Sequence, residues 1–477
     1  GVHMDSLQIR VPDLKLLTPH SEMNLTAQAF WDITSLEDDR VVASIDGLIG
    51  KQDVILFAGA LPDAFKRSYP SYPLTMQLSA KGNMNRIDIS RLSMNLPSAF
   101  SLTGGGEISN VLDSINRMGS VDLQMHTQNL NFLTTLSGTP SDSSLVIPRN
   151  IVMALKAGMR GAQYNATLRA RESDGVIHLD AGYNMNTEAY TANLIIDSLE
   201  INHFLPKDSI YTVAAKANVK GQGIDFASTR TTAMVDAVVD QLEYGAYKVD
   251  NIQLTGELKN AVASAHIISN NDLLVMNGDA SYALNTPYTK AEANIDVSKL
   301  NLYELGHIPD TLTKPVSFHL DAKLGQDTVN VRLNAGDLKF RLRSRGPLET
   351  LIKESTGFAD VLNRQIEERR LDHAELRRAL PSAGLVLTSG TDNPLYYYMA
   401  MQNIKYKELN VGFVATPRIG INGRAAIHTL KVDTLQLDTV YLSIKQDTAL
   451  MALRSGVING PNNPHFVFNT SLTGEIR

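Results

Sequence analysis

The glycine triplet Gly104-Gly105-Gly106 stands between a predicted strand at 99–103 and a predicted short helix at 107–117, where a phosphate loop would sit. It lacks the Gly-Lys-Ser/Thr ending and the Gly-x-Gly-x-x-Gly spacing with its βαβ unit, so it reads as a glycine-rich turn. The 11 histidines are scattered, and none form a pair with zinc-ligand spacing. Solvent-facing strand positions, as for His319, account for them. No serine lies in a Gly-x-Ser-x-Gly elbow. The carboxylates fall mostly on polar strand faces, where a hydrolytic pair has no spacing signature. No catalytic residue, metal ligand or cofactor is assigned, and the chain reads as a non-enzyme.

The elements around these residues carry more information. In the stretch 288–325, Ala291, Ala293, Ile295 and Val297 alternate with Lys290, Glu292, Asn294, Asp296 and Ser298. After a break with a Pro-Asp turn, Val316, Phe318, Leu320, Ala322 and Leu324 alternate with Ser317, His319, Asp321 and Lys323. Period-two alternation puts apolar side chains on one sheet face and polar ones on the other. A strand covered on both faces would read as a continuous apolar run. The second half of this phrase recurs at 72–82, 150–161 and 211–221, and the first half at 121–133 and 192–205. The terminal glycines Gly82, Gly161, Gly221 and Gly325 are 79, 60 and 104 residues apart, too loose for a solenoid of fixed period. A continuing sheet whose hairpins vary in number between copies is expected.

The rest of the chain is punctuated. Turns are expected at Asp46-Gly47, Asp174-Gly175, Asn277-Gly278 and Asn422-Gly423, and a turn-rich connection at 62–73. A Ser/Gly/Pro-rich loop spans 137–148. Residues 347–380 have helical composition: Pro347 opens a helix, Gly357 interrupts it, and Asp372 with Glu375 makes a capping box for a last short helix. This reads as a helical lid on the sheet, with strands resuming through 381–477. Residues 1–4 read as a tag remnant, and the natural chain is expected to continue on both sides.

Composition narrows the class. The 477 residues, 43% hydrophobic and 20% charged, describe a folded chain, and the net charge of −6 offers no footprint for nucleic acid. Cysteine is absent, which excludes disulfides and thiolate metal sites and suits the cytosol or a disulfide-free envelope protein. No apolar run approaches the length of a spanning helix, and no secretory signal is present.

Alternating strand, Leu-x-aliphatic break, proline, alternating strand and Ala-x-x-Gly together resemble the AsmA-like superfamily, and within it the TamB (translocation and assembly module) proteins of the Gram-negative envelope. The likeness covers most of 5–477 through the segments 72–82, 121–161, 192–221 and 288–325. It implies an all-β protein: an elongated, U-shaped, β-taco-like groove across 5–346 and 381–477, with 347–380 as a helical insert the family pattern does not require. It further implies a periplasmic location, an inner-membrane anchor absent here, phospholipid transport and outer-membrane protein assembly, with membranes at both ends and an outer-membrane barrel of the TamA type as partner. The expected lining for acyl chains is Leu74, Met76, Leu78, Met153, Leu155, Val213, Ala215, Ala293, Ile295, Val297, Val316, Phe318 and Leu320. Nine Asp-Ser/Thr-aliphatic triplets, beginning at Asp5, Asp113, Asp197, Asp208, Asp310, Asp327, Asp433, Asp438 and Asp447, resemble an O-glycosylation sequon of some Gram-negative bacteria. Asp-Thr is also ordinary at strand starts and turns. Two other classes stay open: a structural or adhesive β-sandwich protein, and a carbohydrate-active β enzyme. The aromatic content of 6% with a single Trp disfavours the second.

Overall fold

The structure, a computed structural model, describes residues 1–32, 35, 37, 39–57, 61–111, 113–137, 145–245, 247–301 and 315–477. Twenty-eight strands form one long open antiparallel meander sheet, accompanied by five α-helices and two 3₁₀ turns among the described residues. One departure from the meander is that Ala383–Ser389 pairs with Glu408–Thr416, while the two-residue strand between them, Ile404–Lys405, pairs with Gly420–Val432. The chain forms two compact units, residues 1–224 with 232–251, and 225–231 with 252–477.

In the first unit, short hairpins at 83–85, 161–162 and 185–188 lie on one rim, and longer connections at 50–73, 128–151 and 201–209 leave the other. In the second, hairpins at 260–261, 325–327 and 417–419 oppose the connection at 390–407 and the strand ends Leu300 and Val316. Gly82, Gly161, Gly221 and Gly325 each sit at or beside a strand end on the hairpin rim of their own unit, and successive copies are four, four and six strands apart. That explains their unequal spacing, since copies differ in hairpin number and connection length.

The helical insert is present as Leu348–Glu367 and His373–Ala379, between the strands Leu338–Arg345 and Ala383–Ser389. Gly357 does not interrupt the first helix. A Cβ there would meet nothing within 4 Å, so the position is open to solvent and its propensity cost of about 1 kcal/mol is outweighed. Asp372 caps the second helix, accepting from Ala374 N and Glu375 N at 2.9 and 3.0 Å. The return bond of the expected capping box comes from elsewhere, because buried Gln365 Oε1 accepts from Asp372 N at 2.8 Å.

Several expectations fail, each for a legible reason. Gly104-Gly105-Gly106 is neither turn nor loop but the middle of the strand Phe100–Ser109, and the helix expected after it is absent. A Cβ on Gly104 would lie 2.3 Å from Asp122 O, so close approach of the neighbouring backbone demands glycine. Only Asp174-Gly175 of the four expected turns is one; Gly47, Gly278 and Gly423 lie inside Val41–Ile49, Leu274–Ala283 and Gly420–Val432. The connection 62–73 contains the helix Asp63–Ser68, and Lys51–Phe57 is helical before it. The helix Pro394–Met401 was not anticipated, although Asn393-Pro394 is an N-cap signal, and Asn393 Oδ1 does accept from Tyr396 N at 2.9 Å. Residues 138–144 of the predicted loop at 137–148 lie outside the described residues.

Three aspartates of the Asp-Ser/Thr triplets hold turns, while Asp197 and Asp438 lie inside strands. Asp5 Oδ1 accepts from Leu7 N and Gln8 N, and Asp447 Oδ1 from Ala449 N and Leu450 N. These bonds hold both carboxyls below their ordinary value of 3.8. Asp113 is held down likewise, first by the Asn116 side chain. Asp310 lies outside the described residues. A carboxyl whose folded pKa is depressed stabilises its turn fully above the unfolded value and loses that contribution as pH falls through the folded one. Amide exchange at 113–116 and 447–450 is therefore expected to accelerate below about pH 4 relative to the sheet, with no change from about pH 5 to 8 once intrinsic rates are corrected.

Candidate functional site

Residues paired directly across an antiparallel ladder point to the same side of the sheet. Following the pairing from strand to strand therefore shows what each face presents. In the first unit one row runs Leu16, Met23, Gly47, Met76, Met94, Leu102, Met125, Met153, Ala170, Ile177, Ile196, Ala215, Val239. Beside it runs Leu14, Leu25, Ile45, Leu78, Leu92, Gly104, Leu123, Leu155, Leu168, Leu179, Leu194, Ala217, Ala237. No polar residue interrupts either row. A third row is narrow, with Ala27, Ala43, Ala80, Ala157, Ala166, Ala181 and Ala192 among its members. Over this small-residue strip lies a cavity of about 490 Å³, bounded by Ile108, Met159, Tyr164 and Tyr183.

The second unit repeats the pattern. Leu254, Ile267, Gly278, Ile295, Leu320, Leu333, Phe340, Leu387, Val411, Ala425 and Leu442 are successive partners. The adjacent row contains Ala265, Ala280, Ala293, Ala322, Val331, Leu342, Leu385 and Phe413. The glycines of the failed turn expectations belong here: a Cβ on Gly423 would lie 2.5 Å from Phe413 Cδ1, and one on Gly47 would lie 3.1 Å from Met23 Cγ. They make room for larger side chains in the same row.

All thirteen expected lining residues stand on this apolar side of their strands. Met76 and Met153 share one row, as do Leu78 and Leu155, and as do Ile295 and Leu320. Ala215 stands in the Met76 row. Val213, beyond a register shift, pairs with Leu199 and Leu242. Leu74 opposes Ile49 at the strand start, Ala293 opposes Ala322, and Phe318 opposes Val297. Val297 and Val316 are buried near the rim; the other eleven are half-buried. Sequence reading missed the continuity through Met23, Met94, Leu102 and Met125, because alternation within a strand says nothing of which residue faces which across strands.

The opposite face is polar, and its charges pair across strands. Lys323 meets Glu292 at 2.6 Å, Lys216 meets Asp240 at 2.8 Å, and His319 meets Asp296 at 2.6 Å. The hydrogen bond to Asp240 raises the pKa of Lys216, as that to Glu292 does for Lys323. A cavity of about 1180 Å³ in the first unit is lined by Asp88, Glu107, Asp122, Lys156, Asp180 and Lys220 together with Ala157, Ala166, Ala181 and Ala192 of the third row.

One group of possible metal ligands went unnoticed in the sequence. Glu172, Glu200 and His203 bring three ligand atoms within 4.8 Å of one another. His203 Nδ1 is 2.9 Å from Glu172 Oε1, and its Nε2 is 2.9 Å from Glu200 Oε2. Each ring nitrogen faces one carboxylate, while the second oxygen of buried Glu172, Oε2, has no hydrogen-bond partner. Glu200-x-x-His203 was a visible signal; Glu172 joins only through the fold.

No helix among the described residues is long and apolar enough to cross a membrane. No protein-family model, curated protein or solved structure matches the chain, so the likeness to AsmA-like proteins rests on the texture of its strands.

Proposed function

We propose that the apolar face carries lipid acyl chains, and that the protein is a periplasmic bridge of the Gram-negative envelope that moves phospholipid, assists outer-membrane protein assembly, or does both. The observation that supports this most is that the interior apolar rows are half-buried rather than buried. In a β-sandwich the same residues would be sealed against a facing sheet. Here leucines, methionines and alanines repeat over a dozen strands with an open side, a surface that water solvates poorly and alkyl chains cover well. Each methylene removed from water is worth about 0.8 kcal/mol, so a chain of a dozen or more is held firmly. Uniform rows present the same environment at each step, so movement along them meets low barriers. The curved, U-shaped form, the inner-membrane anchor and a barrel partner of the TamA type belong to the same proposal and rest on the resemblance.

Native mass spectrometry after detergent-free purification, with a displaceable fluorescent fatty acid as a second probe, tests it. Co-purified phospholipid and saturable probe binding are expected. A protein that carries no lipid and takes up no probe overturns the reading in favour of a structural role.

A further inference from the structure

Charge on the polar face is not evenly compensated. Lys339, Arg341, Arg343 and Arg345 alternate with Leu338, Phe340, Leu342 and Ser344, so four cations share the polar side of one strand. Register sets Arg332 between Asp321 and Arg341, and beyond Arg341 the same row continues through Val386 and Gly412 to Arg424, Ser443 and Arg454 without another acid. Elsewhere on this face cations meet acids across strands, as Lys323 meets Glu292 and Arg86 meets Glu107. Among the described residues no ion pair forms at Arg341, Arg343, Arg345 or Arg418. Like charges facing each other across a ladder are destabilising. An unneutralised basic patch on a chain of net charge −6 therefore calls for a counter-charge from outside.

Beside the patch lies a cavity of about 1010 Å³. Arg343, Arg345 and Arg418 line it together with Thr328, Asn330 and Thr416, and Asp327 is the one acid in its wall. Three arginines in one wall, with Thr328, Asn330 and Thr416 beside them and Ala383, Val414 and Ile419 completing it, supply donors of the kind phosphate oxygens accept, because each planar fork donates two parallel hydrogen bonds. The volume leaves room for the group that carries the phosphate. We propose that this cavity binds the phosphate ester of an anionic ligand through Arg343, Arg345 and Arg418. The chemistry is shared by a lipid head group and a soluble phosphorylated compound. The site lies on the face opposite the apolar rows and stands independently of the acyl-chain reading.

The test is calorimetric titration of the full chain with pyrophosphate, alongside flotation with phosphatidylglycerol and with phosphatidylcholine vesicles. The wild type should bind pyrophosphate saturably, more weakly as salt is raised. The double variant Arg343→Gln/Arg345→Gln should lose affinity by roughly tenfold or more, and Arg343→Lys, which keeps the charge without the fork, should lose less. Should the double variant fail to fold by circular dichroism, Arg418→Gln in the 417–419 hairpin serves in its place. Flotation with phosphatidylglycerol alone, lost in the same variant, identifies a head group as the source; pyrophosphate binding without flotation identifies a soluble ligand. No pyrophosphate binding, or equal binding by wild type and variants, overturns the proposal.

Discussion

Leu320→Asp is expected to leave the sheet folded while lowering lipid uptake along the second unit's rows. Leu320 lies in the row between Ile295 and Leu333, half-buried, in the strand Val316–Leu324. In a sealed sandwich core a carboxylate at this position would cost several kcal/mol, on the order of 2–7 even for an uncharged polar group, and would unfold the domain. On an open face it stays hydrated, so the melting temperature should change little. The row would then contain a charged, water-bearing step that an alkyl chain cannot cross. Asp321→Leu is the paired control, since Asp321 opposes Asn294 and Arg332 on the polar side. It should bind fatty-acid probe as the wild type does. Thermal unfolding and probe titration on the three proteins separate the cases. Unfolding of Leu320→Asp would show a covered face, and full lipid uptake by a folded Leu320→Asp would show that acyl chains do not pass there.

The second large effect concerns stability. Phe132→Ala should release the helices at 51–57 and 63–68 while distant strands keep their protection. Phe132, Phe65, Tyr69, Leu96, Ala99 and Leu130 form a compact buried cluster at the long-connection rim. The Phe132 ring sits 5.7 Å from Phe65 and 5.5 Å, edge-on, from Tyr69. Burial raises the pKa of the Tyr69 phenol, in keeping with a dry site. Removing a buried phenylalanine side chain costs about 3–5 kcal/mol through lost transfer energy and the cavity left behind. The helix Asp63–Ser68 has six residues and no side-chain cap bond, so it has little stability apart from this cluster. The strands depend mainly on their immediate neighbours, as in repeat proteins, so the loss should stay local. Hydrogen exchange followed by mass spectrometry should show deprotection confined to 51–69 and 128–137. Uniform loss of protection across the first unit would show instead that this cluster holds the whole unit together.

What was legible in the sequence was local. Alternation at Ala291 to Val297 and at Val316 to Leu324 assigned each residue to a face because the strand period is two, whatever the partner. The helical insert showed itself by Pro347, Asp372 and its apolar spacing, since caps and amphipathic faces act within one or two turns. What only the tertiary structure decided was register and proximity. A slip of one residue flips a strand's whole pattern, and register shifts such as those between Ser79 and Ala80 or between Ile89 and Leu92 have no signature within the strand itself. So the apolar rows from Leu16 to Val239 and from Leu254 to Leu442 could not be read in advance. The same holds for Gly47 and Gly423, whose Asp-Gly and Asn-Gly pairs look like turns until neighbouring Met23 and Phe413 are seen to need the space. Arg332 opposite Arg341, and Glu172 beside His203, likewise arise from pairing across strands, which local propensity does not encode.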